Sequence, residues 1–300
     1  MPQESTFRTF TPSQGANYAQ HRLTYHQDVY DAILHHHTST GGNLSTLVDI
    51  GCGPGLVTRD LAPHFTSAIG LDASEGMITT AQSLSTDPAI SFHVSSAEDL
   101  TPVTNGSVDL ITSANAAHWF DMSRFWRRAA EVLKPGGTVA LWAGGSLKVD
   151  KGMVNAQRIQ SVIDSLNERL DEYMAPGNRL VRGLYKDLKM PWDLEQRVDE
   201  FGQDGFVRTE WGTDQGSRPW DRFYVSKGEM GLDAFEMVLG TMSPVVRWRE
   251  ANPQLAGTED DVVRIVRRDI EQCLRDGGVE EGKEVLKGGV SGVLLLVKRK

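Results

Sequence analysis

Between residues 46 and 142, short apolar runs alternate with stretches whose apolar residues recur at helical spacing. The runs at 46–50, 67–71, 90–94, 108–114 and 138–142 predict strands, and the stretches at 56–64, 75–84 and 123–133 predict helices between them. This alternation predicts a parallel, doubly wound sheet, because each crossover between parallel strands lays a helix on a sheet face. Upstream, Tyr18, Arg22, Tyr25, Val29 and Ile33 share a helical spacing over 18–36. The Ser-, Thr-, Gly- and Asn-rich stretch 38–45 reads as a loop.

After Trp142 the rhythm changes. A helix is predicted over 149–173, broken by Met174-Ala-Pro-Gly-Asn178, and another over 179–189. Residues 206–211 read as a strand and 234–239 as the start of a helix. Over 260–275, Val262, Val263, Ile265, Val266, Ile270 and Leu274 mark an amphipathic helix. The last apolar strand, 291–297, is followed by Lys298-Arg-Lys300, which reads as a solubilising tail. The expected architecture is α/β: a doubly wound, seven-stranded, mostly parallel sheet of Rossmann-like type, with a helical cap from the C-terminal half. The expected division is an N-terminal helical lid (1–45), a cofactor-binding core (46–145) and an acceptor-binding cap carrying the last strands (146–300).

Charge narrows the partners. Lys and Arg number 31 against 40 Asp and Glu, a net charge of −9, so the surface repels phosphate backbones and nucleic acid is not expected. No run of about 18 apolar residues occurs, so no membrane span is expected. The first five residues carry an acid and no apolar stretch, unlike a signal peptide. The two cysteines, Cys52 and Cys273, make no disulfide framework and predict a reducing, cytoplasmic setting. Nothing in the chain indicates an oligomeric state.

The sharpest signal is Leu47-Val-Asp-Ile-Gly-Cys-Gly-Pro-Gly-Leu-Val-Thr58, an apolar strand running through Gly51, Gly53 and Gly55 into a helix. The glycine spacing differs from the dinucleotide pattern, and no Gly-Lys-Ser/Thr follows, which argues against a P-loop. S-adenosylmethionine, a cofactor with no pyrophosphate to seat, can use such a loop. Asp49 stands two residues before the first glycine, suited to an ordered water or an ammonium group. Asp72, 23 residues later at the end of the next strand, suits a pair of ribose hydroxyls. Ser95-Ser-Ala-Glu-Asp99 follows the third strand, where adenine would lie.

Asp49-Ile-Gly-Cys-Gly-Pro-Gly55, Gly70-Leu-Asp72-x-Ser74-x-x-Met77 and Leu133-Lys-Pro-Gly-Gly137 resemble the motifs of class I S-adenosylmethionine-dependent methyltransferases. The resemblance implies that Met77 packs on adenine, with Ser96, Ala97 and Glu98 at its edge, although many relatives carry Asp where this chain has Ser96. Cys52 and Ala73 would line the same site, Cys52 as a small spacer. Asn115 would touch the cofactor, and Tyr18 and Arg22 would close over it.

A narrower likeness is to the trans-aconitate methyltransferase-like group. It rests on Tyr18-x-x-x-Arg22-x-x-Tyr25, Ala117-His-Trp-Phe-Asp121, Trp142, and Pro176-Gly177 followed by Arg182 and Lys186-Asp187. Leu23 and His26 replace prolines of that group. Asn178 and Leu180 stand where the member acting on trans-aconitate has arginines, and a tricarboxylate needs several cationic partners. Thr241-Met242-Ser243 replaces Thr-Trp-Ser while Trp248 is kept, so the acceptor pocket is expected to be reshaped.

Methyl transfer from a sulfonium needs alignment above all, an effect worth up to about 7–11 kcal/mol. His118, at the end of the fourth strand, is the candidate base for an acceptor that must lose a proton. Trp119, Trp142 and Arg182 are candidates to line the acceptor pocket. His35-His-His37 reads as a solvated run, and no metal is expected. The expected reaction is O-methylation of a carboxylate or hydroxyl of a small molecule. N- or C-methylation, or cofactor binding without transfer, stay open.

Overall fold

The computed structural model describes Thr11, Gly15 and residues 23–213, 218–225 and 229–300. Eight strands form among these residues: β1 Thr46–Ile50, β2 Ser67–Asp72, β3 Ile90–Val94, β4 Val108–Ala114, β5 Leu133–Val149, β6 Val207–Trp211, β7 Glu229–Gly231 and β8 Val285–Lys298. Seven of them lie side by side in the order β3-β2-β1-β4-β5-β8-β6, and β7 pairs with β8 off that path. β1 to β5 run parallel, while β8 is antiparallel to both β5 and β6. The expected seven-stranded sheet is therefore present, with one short strand added. At three residues, β7 is too short to show an alternating pattern.

The strand order reverses between β1 and β4, which opens a crevice at their carboxyl ends. Both faces of the central strands are buried, so β1 and β4 read as nearly continuous apolar runs. Successive side chains take opposite faces. Val139 and Leu141 join Phe125 and Trp126 in one core, while Ala140 and Trp142 join Val29, Ile33 and Leu61 in the other. A third core, with Ile163, Leu166, Phe235, Leu239, Val266 and Ile270, lies inside the cap.

The helices are α1 Gln27–Ser39, α2 Leu56–Leu61, α3 Glu75–Ser83, α4 Met122–Val132, α5 Ala156–Arg169, α6 Pro176–Arg182, α7 Leu232–Gly240, α8 Ser243–Ala251 and α9 Val262–Asp276. Side-chain caps set several of their starts: Ser74 accepts from the Met77 N–H, Asp121 from Ser123 and Arg124, and Asp261 from Val263. Three expectations change. Of the helix expected over 18–36, residues 18–22 lie outside the described ones, and α1 starts at Gln27 because Tyr25 is extended and bridged to Tyr224. The predicted helix over 149–173 starts only at Ala156, because β5 continues to Val149, held there by pairing with Gly288 of β8. The predicted helix over 179–189 ends at Arg182.

Two surface readings are also corrected. His37 is fully buried, with Nδ1 2.8 Å from Thr138 Oγ1 and Nε2 2.7 Å from the Asn43 carbonyl, so the histidine run is not simply solvated. The C-terminal basic residues are tied into the fold at the end of β8: the Arg299 N–H donates to Gly137 O at 2.9 Å and the Lys300 N–H to Glu200 O at 2.8 Å. His37→Ala, which leaves a buried carbonyl without its donor or a hydroxyl without its partner, should cost about 1–3 kcal/mol in denaturant unfolding. A His37→Ala chain as stable as the parent would remove this contact from the account.

Candidate active site

β1 delivers the chain into a loop in which Gly51, Gly53 and Gly55 all have positive φ, at 67°, 54° and 79°. L side chains rarely adopt that conformation, so glycine is required at each. The space around them differs. A Cβ on Gly51 would strike Ala116, and one on Gly55 would meet the Phe92 ring at 2.6 Å. A Cβ on Gly53 would meet nothing within 4 Å and would project into open space. The Gly51 and Cys52 N–H groups donate to Leu71 O at 2.7 and 3.0 Å, which docks the loop on the end of β2. The Asp72 carboxylate completes the tie, accepting from Gly53 N–H at 2.9 Å and Ser74 N–H at 2.8 Å.

Beside this loop lies a cavity of about 400 Å³. Its wall at the loop end includes Asp49, Gly51, Cys52, Gly53, Asp72, Ala73, Met77, Ala97 and Glu98, all expected there. Asn115, His118, Trp119 and Arg182 line it as well. Three expected residues do not. Ser95, not Ser96, contributes to the wall. Gly55 is absent from it, and its missing side chain makes room for Phe92 and for the start of α2. Trp142 is fully buried in the core beneath α1, its ring 5.5 Å from Tyr25, because strand alternation sends it there with Ala140. Tyr18 and Arg22 lie outside the described residues.

Asn115 knots the middle of the cavity. It adopts φ 51°, a conformation asparagine tolerates better than most residues. Its Nδ2 donates to the hydroxyls of Tyr25 and Tyr224, the latter at 2.9 Å, and its Oδ1 accepts from Gly144 N–H at 3.0 Å. The two tyrosine rings stack at 4.9 Å, and both line the cavity. Neither was assigned from the sequence, since their meeting depends on a bridge between segments about 200 residues apart. His118 sits on the turn after β4, with Nδ1 2.8 Å from the Tyr185 hydroxyl. Gly177 of α6 closes against this turn, where a Cβ would meet His118 O at 2.6 Å and the Trp119 ring at 2.7 Å.

The far wall comes from the cap: Leu147, Ile163, Leu166, Met174, Val181 and Met242, with polar Asn167, Asn178, Thr241 and Ser243. Asn178 is already committed, donating to Ser243 Oγ at 2.9 Å and accepting from Ala175 N–H and the Arg247 guanidinium. Among the described residues the cavity-lining Arg side chains are Arg59 and Arg182. Arg59 donates to Pro54 O at 2.7 Å. Arg182 donates to Asn167 O at 3.2 Å and lies 3.7 Å from the exposed Asp171 carboxylate.

Two groups are electrostatically unusual. Asp49 is buried at 1% exposure and accepts from Thr58 Oγ1 at 2.7 Å and Thr112 Oγ1 at 2.9 Å. Burial dominates and pushes its carboxyl up to about 7, against the two hydroxyl donors and with a small push from Asp72. Burial likewise raises the Cys52 thiol well above its ordinary value, so Cys52 is not a ready nucleophile.

A methyltransferase domain model matches residues 48–141. A Dictyostelium discoideum protein named as a methyltransferase is 30% identical over 201 residues, 66% of this chain and 72% of that protein. A Saccharomyces cerevisiae protein named for S-adenosylmethionine-dependent methyl transfer is 33% identical over 133 residues, 43% of this chain and 45% of its own length. The structure of an Anaeromyxobacter dehalogenans protein named as a type II methyltransferase superposes with a TM-score of 0.59 at 22% identity, covering 92% of this chain and 96% of the other, and shares its fold. The chain belongs to the class I S-adenosylmethionine-dependent methyltransferases. None of the described helices is long and apolar enough to cross a membrane.

Asp49 makes a prediction for stability. A carboxyl whose folded pKa is raised stabilises in full below its unfolded value, about 4, and that contribution is lost as pH rises through about 7. Across this window Asp49→Asn should remove a slope of up to about 1.4 kcal/mol per pH unit. Urea unfolding of both proteins from pH 4 to pH 8 checks it, and parallel curves would refute the buried-carboxyl assignment.

Proposed function

We propose that this chain transfers the methyl group of S-adenosylmethionine to an oxygen of a small acceptor with a largely apolar body. The observation that carries the reading is the single cavity that joins the glycine loop and Asp72 to His118 and the cap. The residues at the loop end fit the cofactor. Gly53 leaves open space where backbone must approach a ligand, Asp72 can accept from two ribose hydroxyls, and buried Met77 offers an apolar face for adenine. Ser95, Ala97 and Glu98 would border the adenine edge, and Asn115 would reach the cofactor from the middle of the cavity. Asp49, close beneath the loop, would favour an ammonium group nearby, which would also lower its raised pKa.

When bound, S-adenosylmethionine supplies a methyl group already activated for in-line displacement. The chain then has to hold the acceptor oxygen in line and keep water away. His118 and Trp119 stand at the carboxyl end of β4, between the loop and the cap, and are the residues we assign to acceptor contact. The likeness to the trans-aconitate methyltransferase-like group supports an oxygen acceptor. The cap wall argues against a tricarboxylate: it is mostly aliphatic, Asn178 is committed within the protein, and Arg182 shares its charge with Asp171. An acceptor with one carboxylate or hydroxyl on an apolar body fits this wall better.

Asp72→Ala tests the cofactor end. The loss of bonds to a charged group, each worth roughly 1.5–3 kcal/mol, should weaken S-adenosylhomocysteine binding at least about tenfold in titration calorimetry. Circular dichroism would establish that the variant is folded, and unchanged affinity in a folded variant would sink the assignment.

A further inference from the structure

We infer that Tyr185 is a positioning residue that sets the tautomer of His118, keeping the ring proton on Nε2, so that His118 meets the acceptor as a hydrogen-bond donor and not as a base. The inference rests on the proposal that His118 contacts the acceptor. Tyr185 is 2% exposed, and its hydroxyl lies 2.8 Å from His118 Nδ1. A buried O–H needs an acceptor. In the neutral imidazole only the nitrogen without the proton can accept, so a hydroxyl donating to Nδ1 leaves the proton on Nε2. The opposite tautomer would have Nδ1–H donate to the phenolic oxygen and strand the buried phenol proton. Burial also raises the Tyr185 pKa far above its ordinary value, which keeps the phenol a donor at any working pH.

The chain holds Tyr185 there against local preference. Leu184 and Tyr185 have φ of 52° and 57°, two consecutive non-glycine residues in the left-handed region. The turn is pinned by Tyr185 N–H to Leu180 O and Leu184 N–H to Val181 O, both at 2.9 Å. From the edge strand β6, Arg208 donates to Leu184 O at 2.6 Å, while an ion pair with Glu210, also at 2.6 Å, orients its guanidinium. A strained conformation braced from a separate strand is the kind of feature that persists for positioning.

The consequence is chemical. A donor at Nε2 cannot take the proton of a hydroxyl, but it can hold one oxygen of an ionised carboxylate. The carboxylate oxygen then attacks the methyl carbon: a C–O bond forms as the C–S bond breaks, the acceptor's negative charge and the sulfonium's positive charge cancel, and no proton moves.

Nitrogen-15 NMR of histidine-labelled protein with S-adenosylhomocysteine at pH 8 reads the tautomer directly, with His118→Gln to assign the signal. We expect the His118 proton on Nε2 in the parent. In Tyr185→Phe we expect a shift toward a mixture of tautomers, with S-adenosylhomocysteine affinity within about twofold of the parent. A proton on Nδ1 in the parent, or His118 signals unchanged in Tyr185→Phe, would overturn the inference. The parent measurement stands even if the phenylalanine variant does not fold. The titration of Asp72→Ala tests the functional reading separately, so the two can fail independently.

Discussion

The structure depends on a backbone constraint at the end of β1. Within five residues the chain takes left-handed φ three times, at Gly51, Gly53 and Gly55, and turns into α2. The loop is held by the Leu71 carbonyl and by the Asp72 carboxylate, so the end of β2 is locked to the end of β1. Beneath it, buried Asp49 links β1 to β4 through Thr112 and to α2 through Thr58. These bonds stiffen the point where the strand order reverses, and that crevice becomes the cavity. A buried carboxyl is a costly fastener, and its raised pKa reports that cost.

What was legible in the sequence follows from which forces are local. β1 and β4 fall within the bounds their apolar runs predict, because strands buried on both faces leave continuous apolar stretches, and the edge strand β3 does so on the alternation of Ile90, Phe92 and Val94. The loop glycines and Asp72 were legible because a tight turn restricts residue type so strongly. Features set by distant partners were not legible. β5 extends past Trp142 only because β8 pairs with it, and the Tyr25–Tyr224 bridge joins segments with no local signature. Trp142 and His37 carry chemistry-bearing side chains, yet alternation and packing turned both into the core. The substitution of Ser95 for Ser96 in the cavity wall is the same effect at the scale of one residue.

The cap half of the cavity is built differently. Its walls come from α5, α7 and the turn into α8, which share an aliphatic core of their own, and from α6, whose Leu180 and Val181 pack against the sheet core, and they meet the sheet around the Gly144–Leu147 bulge of β5. Of the cap positions that depart from the resembled group, Asn178 and Met242 lie in this wall and Leu180 packs on the sheet core, while Asp72 and Gly53 keep the pattern of the class I motifs. The division makes physical sense. The glycine-loop end is constrained by backbone geometry that few residues satisfy, whereas an aliphatic wall tolerates exchange as long as its volume and polarity are kept.

The central claim is that open space at Gly53 exists for a cofactor. Gly53→Val fills it, and Gly106→Val is the matched control, since Gly106 has a similar φ of 64° and no atom within 4 Å of a Cβ, but lies outside the cavity wall. Calorimetric titration of S-adenosylhomocysteine into the parent and both variants decides the matter. The account predicts that the parent and Gly106→Val bind alike while folded Gly53→Val binds at least about tenfold more weakly. Equal binding by all three would contradict it.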